Sequence, residues 1–376
     1  MELLPPIMLL AGLMLSAVMT AFMIHVGENL GAMDSRGAAG HQKQLRRVPN
    51  IGGAAVVTAF VLPAALGLAY VRAHDAAPTR APDHFGLEQF HARIGSNFAS
   101  TAAMLAGAVW LMVAGMIDDR RAMSASTKLL LQFVPAVAIA WMFQVRPLTL
   151  LDHHGPVGHA ASVMLGVLWI VAMINAMNFL DNMDGLASGV GMIAALLFAT
   201  MAMIVQQWFI AGLFALLAGA LAGFLIFNFA PRVGARIFLG DGGSQPLGFL
   251  LAVLALRTTF ISTVEPAYGL GTHWWGILAP LIILAVPLYD MAATSVIRLR
   301  HGHRPWVGDQ RHLSHRLVQR GFSSRGAVLI IWAMSAIIGA GGIIIGNLAP
   351  LPATLVVLQT VAALLVLAAM EGIFRR

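Results

Sequence analysis

Long apolar runs, one after another along the chain, constrain the fold more than any other feature. A helix needs roughly 20 consecutive apolar residues to cross a bilayer. About eleven segments qualify: 5–26, 51–71, 97–117, 127–143, 161–179, 186–205, 208–229, 245–261, 275–297, 327–346 and 351–370. Lipid offers no partner for backbone N–H and C=O groups, so such segments must be helical. The expected fold is all-α: a polytopic integral membrane protein of ten or eleven transmembrane helices, forming one domain. Of the 376 residues, 59% are hydrophobic and only 10% are charged. A water-soluble domain of this size needs far more polar surface. Cysteine is absent, so disulfides and thiolate metal sites are excluded. The first run lacks a basic leader and a small-residue cleavage site, and reads as a retained span.

Basic residues give the expected orientation, because Lys and Arg gather in cytoplasmic loops. With the N-terminus in the periplasm and the C-terminus in the cytoplasm, 18 of the 23 Lys and Arg residues fall inside. Arg72, Arg80, Arg93, Arg146 and Arg257 are the exceptions. The inside segments are then about 27–50, 118–126, 180–185, 230–244 and 298–326, plus the tail.

Carboxylates fall at the same ends. The chain has sixteen Asp and Glu residues, and three short clusters lie at the inner ends of spans: Asp118-Asp119, Asp181 with Asp184, and Asp241. A carboxylate near lipid is costly unless it is paired or metal-bound. Co-location on one membrane face therefore suggests a shared polar site. Each cluster also has a plainer reading. Asp118 and Asp119 end a helix, where anions are disfavoured, and could pair with Arg120 and Arg121. The run Asn175 to Gly185 could be an Asx-rich turn, and Phe238-Leu239-Gly240-Asp241-Gly242-Gly243-Ser244 a flexible one. In the last loop, His312 and His315 with Arg311 and Arg316 make a cationic surface suited to phosphate or to anionic lipid. His312 and His315 lack a third zinc ligand.

The four strings Asp118-Asp119-Arg120, Asn175-x-x-Asn178-x-x-Asp181-x-x-Asp184-Gly185-Leu186-Ala187, Phe238-Leu239-Gly240-Asp241-x-Gly243-Ser244 and Asp309-x-x-His312-x-x-His315-Arg316-Leu317 occur in this order. Together they resemble the polyprenyl-phosphate N-acetylhexosamine-1-phosphate transferases, the MraY/WecA-like superfamily. Val48-Pro49-Asn50-Ile51-Gly52-Gly53 is similar to that family's Pro-x-x-Gly-Gly loop. The match covers residues 43 to 325. The chain departs from the pattern at three places: Asn182 stands where the family usually has Gly, Ser314 where one branch has another His, and Gln245-Pro246 where apolar residues are more usual.

The resemblance implies a UDP-activated amino sugar as donor, UDP-GlcNAc in the branch with a single H-x-x-H pair. It also implies undecaprenyl phosphate as acceptor, Mg2+ (or Mn2+) as cofactor, and an enzyme of the bacterial inner membrane. A homodimer is compatible with it, and nucleic acid is not among the expected partners. Mg2+ prefers oxygen ligands and few carboxylates, so Asp241 is the first expected ligand, with Asp118 and Asp181 beside it. Asp118, Asp119 and Asp241 are the expected catalytic set. Substrate contacts are expected from Lys43, Asn178, Asp181, Asp184, Asn228, His312, His315 and Arg316. Two alternatives remain at this point: a phospho-MurNAc-pentapeptide transferase, and a membrane transporter. A transporter would place its ionisable groups near the midplane.

Overall fold

The computed structural model describes residues 1–31, 33, 47–75, 87–230, 234–258, 273–304 and 311–371. Lys43, Arg232 and Asp309 lie outside them. Among the described residues the structure is helical, with one isolated backbone bridge between Met33 and Pro49. Among the described residues, nine helical segments are long and apolar enough to cross a membrane: Leu4–Leu30, Gly52–Ala73, Asn97–Arg120, Ala125–Met142, Thr149–Leu180, Leu186–Ile204, Trp208–Asn228, Ser324–Asn347 and Pro350–Met370. A helix pair, Trp274–Ile283 and Ala285–Arg300, bent by 69° at its break, brings the number to ten if the two count as one span.

The eleventh apolar run becomes a helix of 17 residues, Asp241–Arg257. At 1.5 Å per residue it is roughly 26 Å long, short for a span. Its length need not match the lipid, because every residue from Gly242 to Ala255 is buried among neighbouring helices. The helices used below are α1 (Leu4–Leu30), α2 (Gly52–Asp75), α3 (Leu87–Arg120), α4 (Ala125–Val137), α5 (Gly155–Leu180), α6 (Leu186–Ile204), α7 (Trp208–Asn228), α8 (Asp241–Arg257), α9 (Ala279–Ile283), α10 (Ala285–Arg300), α11 (Leu313–Gln319), α12 (Ser324–Ile344) and α13 (Pro350–Met370). The central α8 packs against α2, α3 and α5.

Lipid tails are as apolar as leucine, so helices associate in a membrane by close packing rather than by a hydrophobic drive. α1 meets α7 in this way. Its buried face carries Gly12, Ser16, Thr20 and Gly27, while Ile7, Leu10, Met14, Val18 and Phe22 point outward. A Cβ on Gly12 would strike the Leu216 carbonyl, and one on Gly219 the Leu9 carbonyl. Gly219→Val should therefore separate α1 from α7 and lower the thermal midpoint in detergent, with an overpacking cost of about 1–3 kcal/mol. Leu10→Ala, on the outward face, should leave the midpoint unchanged; equal shifts for the two variants would contradict this packing.

Candidate active site

The termini of α2, α3 and α8 meet at one end of the bundle, and glycine makes the meeting possible. A Cβ on Gly53 would collide with the Gly243 amide, and one on Gly115 with the Asp241 carbonyl. Backbone hydrogen bonds run from Gly52 N to Phe238 O (2.9 Å), from Gly53 N to Leu239 O (3.0 Å) and from Phe238 N to Pro49 O (2.8 Å). They lay the Pro49–Gly53 segment along the strip that leads into α8.

Asp119 is the pivot. Its Oδ1 accepts from the Asp241 amide (3.2 Å) and from Asn50 Nδ2 (3.0 Å), and its Oδ2 from the Gly242 amide (3.2 Å). The carboxylate that ends α3 thus caps the N-terminus of α8, whose exposed amides favour an anion. Gly240 precedes it with φ +68°, and a Cβ there would lie 2.6 Å from both Asn50 Oδ1 and Asp119 Oδ2. Asp119 was expected in the catalytic set. Both of its oxygens accept from protein donors, and these bonds hold the start of α8 against the end of α3.

Asp118 and Asp241 have a different neighbour. Lys128, in the first turn of α4, pairs with Asp118 Oδ2 and donates to Asp241 Oδ2 at 3.2 Å. Asp118 Oδ1 also accepts from the Met123 amide at 2.6 Å. Asn178, near the end of α5, donates to Asp241 Oδ1 (2.9 Å) and to Ser244 Oγ (3.0 Å). The Asp241 side chain is 24% exposed and that of Asp118 is 5% exposed, so Asp241 is the carboxylate a ligand can reach. Behind it runs a buried amide chain: Gln245 to Asp241 Oδ2 (3.5 Å), Gln132 to Gln245 (3.4 Å) and Asn175 to Gln132 (2.7 Å).

The donors fit a hard divalent cation. They are all oxygens, and an ammonium already bridges two of the carboxylates, where positive charge is needed. Among the described residues no three His, Asp or Glu side chains form a metal-binding group. A hard cation such as Mg2+ takes few protein carboxylates and completes its shell with water and phosphate oxygens, and Asp118 with Asp241 fits that demand. Asp181, expected as a third ligand, does not join them in such a group.

The α5–α6 turn is tied down from outside. Asp184 Oδ2 accepts from the Ala235 amide at 3.2 Å. Asn228, expected at the substrate, is 4% exposed. Its Oδ1 accepts from the Gly185 amide (2.7 Å) and its Nδ2 donates to the Ile237 carbonyl (2.9 Å). Both ends of its amide are thus bonded to the backbone, tying the α5–α6 turn to the strip that leads into α8.

The histidine segment departs further from expectation. His312 is 6% exposed, with Nδ1 3.1 Å from Asp290 Oδ2 and Nε2 3.2 Å from the Arg298 guanidinium. Arg316 is 8% exposed; its Nε donates to Glu371 Oε2 at 2.9 Å, and its guanidinium lies 3.8 Å from Asp290 Oδ1. Both expected phosphate contacts therefore have protein carboxylates as neighbours. His315 remains as the half-buried member of the pair.

Several of these partners carry no motif. Lys128 had a signal, being one of only two lysines in the chain. So did Asp290, a lone carboxylate inside an apolar run.

Comparison with known proteins identifies the family. Residues 101–259 match the pattern described as Glycosyl transferase family 4. Decaprenyl-phosphate N-acetylglucosaminephosphotransferase of Mycobacterium tuberculosis (strain ATCC 25618 / H37Rv) is 33% identical over 363 residues, spanning 84% of this chain and 86% of that protein. The chain belongs to glycosyl transferase family 4. As a member of this MraY/WecA-like family it is a metal-dependent membrane transferase, which removes the transporter alternative. Two further family 4 relatives are an undecaprenyl-phosphate alpha-N-acetylglucosaminyl 1-phosphate transferase of Escherichia coli (strain K12) and a probable undecaprenyl-phosphate N-acetylglucosaminyl 1-phosphate transferase of Bacillus subtilis (strain 168). The first is 31% identical over 69% of this chain and 68% of that protein. The second is 32% identical over 65% of each.

Asp119 and Asp241 should respond differently to neutralisation. Asp119→Asn should cost about 1–2 kcal/mol of stability, as the loss of a helix cap does. Asp241→Asn should stay within about 0.5 kcal/mol of the wild type. Thermal unfolding in detergent measures both, and a larger loss at Asp241 would reverse the assignment.

Proposed function

We propose that this family 4 enzyme transfers GlcNAc-1-phosphate from UDP-GlcNAc to undecaprenyl phosphate. The products are UMP and a lipid-linked sugar diphosphate that begins a cell-envelope polysaccharide. The site lies at the cytoplasmic face of the bacterial inner membrane. The single observation that carries this reading is the Lys128 ammonium between Asp118 and the accessible Asp241. It supplies cationic and anionic groups side by side at one end of a membrane bundle. The printed names of the relatives support the donor and the acceptor class, and the distribution of Lys and Arg supports the sidedness.

Both reactants are anions, so their repulsion must be offset before an oxygen of the lipid phosphate can attack the β-phosphorus. Asp241 and Asp118 would hold Mg2+, which when bound would supply positive charge against the diphosphate and the departing UMP. Lys128 adds a second positive charge within reach of the same oxygens. Asn178 and Gln245 hold the Asp241 carboxylate in one orientation. The new P–O bond forms to the lipid phosphate as the bond between the β-phosphorus and the bridging oxygen breaks, and UMP leaves with that oxygen. A phosphate monoester has its second pKa near ~6, so the attacking oxygen is already anionic near neutral pH, and Asp118 need not act as a strong base.

The test uses membranes containing the full chain, with radiolabelled UDP-GlcNAc and undecaprenyl phosphate. Labelled lipid should appear with Mg2+ and vanish with a chelator. Asp241→Asn should lower the rate by about 10²-fold or more. Transfer from UDP-MurNAc-pentapeptide instead, or wild-type turnover by Asp241→Asn, would overturn the reading.

A further inference from the structure

Two of the positions at which the sequence departs from its family's pattern, Asn182 and Ser314, touch each other. Ser314, in the first turn of α11, donates its hydroxyl to Asn182 Oδ1 in the α5–α6 turn. Ser314 is 1% exposed, so without this partner its hydroxyl would have little access to water, which is costly. At its other end, Asn182 Nδ2 donates to the Phe179 carbonyl at 2.8 Å, satisfying a free carbonyl of the last turn of α5. A glycine at 182 would supply neither bond.

Neighbouring contacts run across the same seam. The Phe179 ring meets His312 edge-on at 5.5 Å, and the Arg298 guanidinium lies 5.0 Å from its centroid. α11 is itself anchored from behind: the Leu313 amide donates to Asp290 Oδ1 at 2.6 Å, and Arg316 pairs with Glu371 at 2.8 Å. On its other side the turn is pinned by Asn178 to Asp241 and by Asp184 to the Ala235 amide. The segment carrying Asp181 is therefore held between a bond to the carboxylate site and a bond to the helix that carries His315.

We propose that Asn182 and Ser314 form a bolt between the α5–α6 turn and α11, and that this pair sets the affinity for the nucleotide sugar. The proposal rests on the transferase reading above. Both are positioning residues: neither has to touch substrate, and they act through the end of α5, whose Asn178 reaches Asp241. Ser314→Ala removes only the bond they share, whereas Asn182→Ala also removes the bond to Phe179, so adding Ser314→Ala to Asn182→Ala should cost nothing further.

Asn182→Ala, Ser314→Ala and the double variant test this in the full chain in detergent. Calorimetric Kd for UDP-GlcNAc with Mg2+ and the kcat at saturating nucleotide are both measured. Each single variant should weaken binding about three- to tenfold, the range for one buried hydrogen bond. The double variant should be no worse than Asn182→Ala, with kcat within about twofold of the wild type. Should Ser314→Ala fail to fold, Asn182→Gly at its half-buried position carries the comparison. An unchanged Kd in the Asn182 variants, or a double effect equal to the product of the singles, would overturn the bolt. A wild type that binds but transfers nothing would instead sink the transferase reading.

Discussion

The carboxylate of Asp119 on the first amides of α8 is the interaction on which the site depends. An anion at the end of α3 faces that helix's own negative pole and, in a low-dielectric bundle, would be expensive alone. Two amides from the opposed helix and the Asn50 side chain offset that cost. The same bonds fix where α8 begins, and so where Asp241, its first residue, points. Lys128 of α4 and Asn178 of α5 then converge on Asp241. Five helix ends are organised around Asp119 and Asp241, of which Asp119 holds the frame and Asp241 is the more exposed carboxylate beside Asp118.

Much of this was legible in the sequence, for a physical reason. Lipid leaves a spanning backbone only one solution here, so apolar length maps almost directly onto helices, and each of the eleven runs coincides with a helical element. The clustering of acidic turns at one end was legible too, because charge and topology are linked. What a polar side chain at a span end does was less legible. It has two outlets, a ligand or a neighbouring loop, and local sequence does not distinguish them. Asn228, His312 and Arg316 carry the residue types of a phosphate pocket, yet their partners are Gly185, Asp290 and Glu371, up to 55 positions away. Lys128 was visible only as part of the charge asymmetry. Its pairing with Asp241 spans 113 positions, and no spacing rule reaches that far.

The C-terminal third of the bundle has its own polar centre, which engages residues expected at the phosphates. Asp290 is fully buried in α10, and a lone carboxylate there requires partners. The His312 ring and the Arg316 guanidinium provide them, and Arg316 draws in Glu371 and, through it, Tyr289. The basic loop read as a phosphate surface therefore splits into an inward part that binds α11 to α10 and α13, and the half-buried His315.

These two centres meet at the end of α5. Asn178 reaches Asp241 on one side, while Phe179 and Asn182 reach α11 on the other. A helix end is a rigid object at this scale, since its last turn is held by backbone bonds and by packing on all sides. A small change in how α11 seats against Asn182 therefore has few soft elements in which to dissipate before it reaches Asp181. A membrane bundle suits this arrangement. Its helices are held at fixed spacing by close contact, and their ends present polar groups at the boundary where a soluble nucleotide and a lipid phosphate must meet.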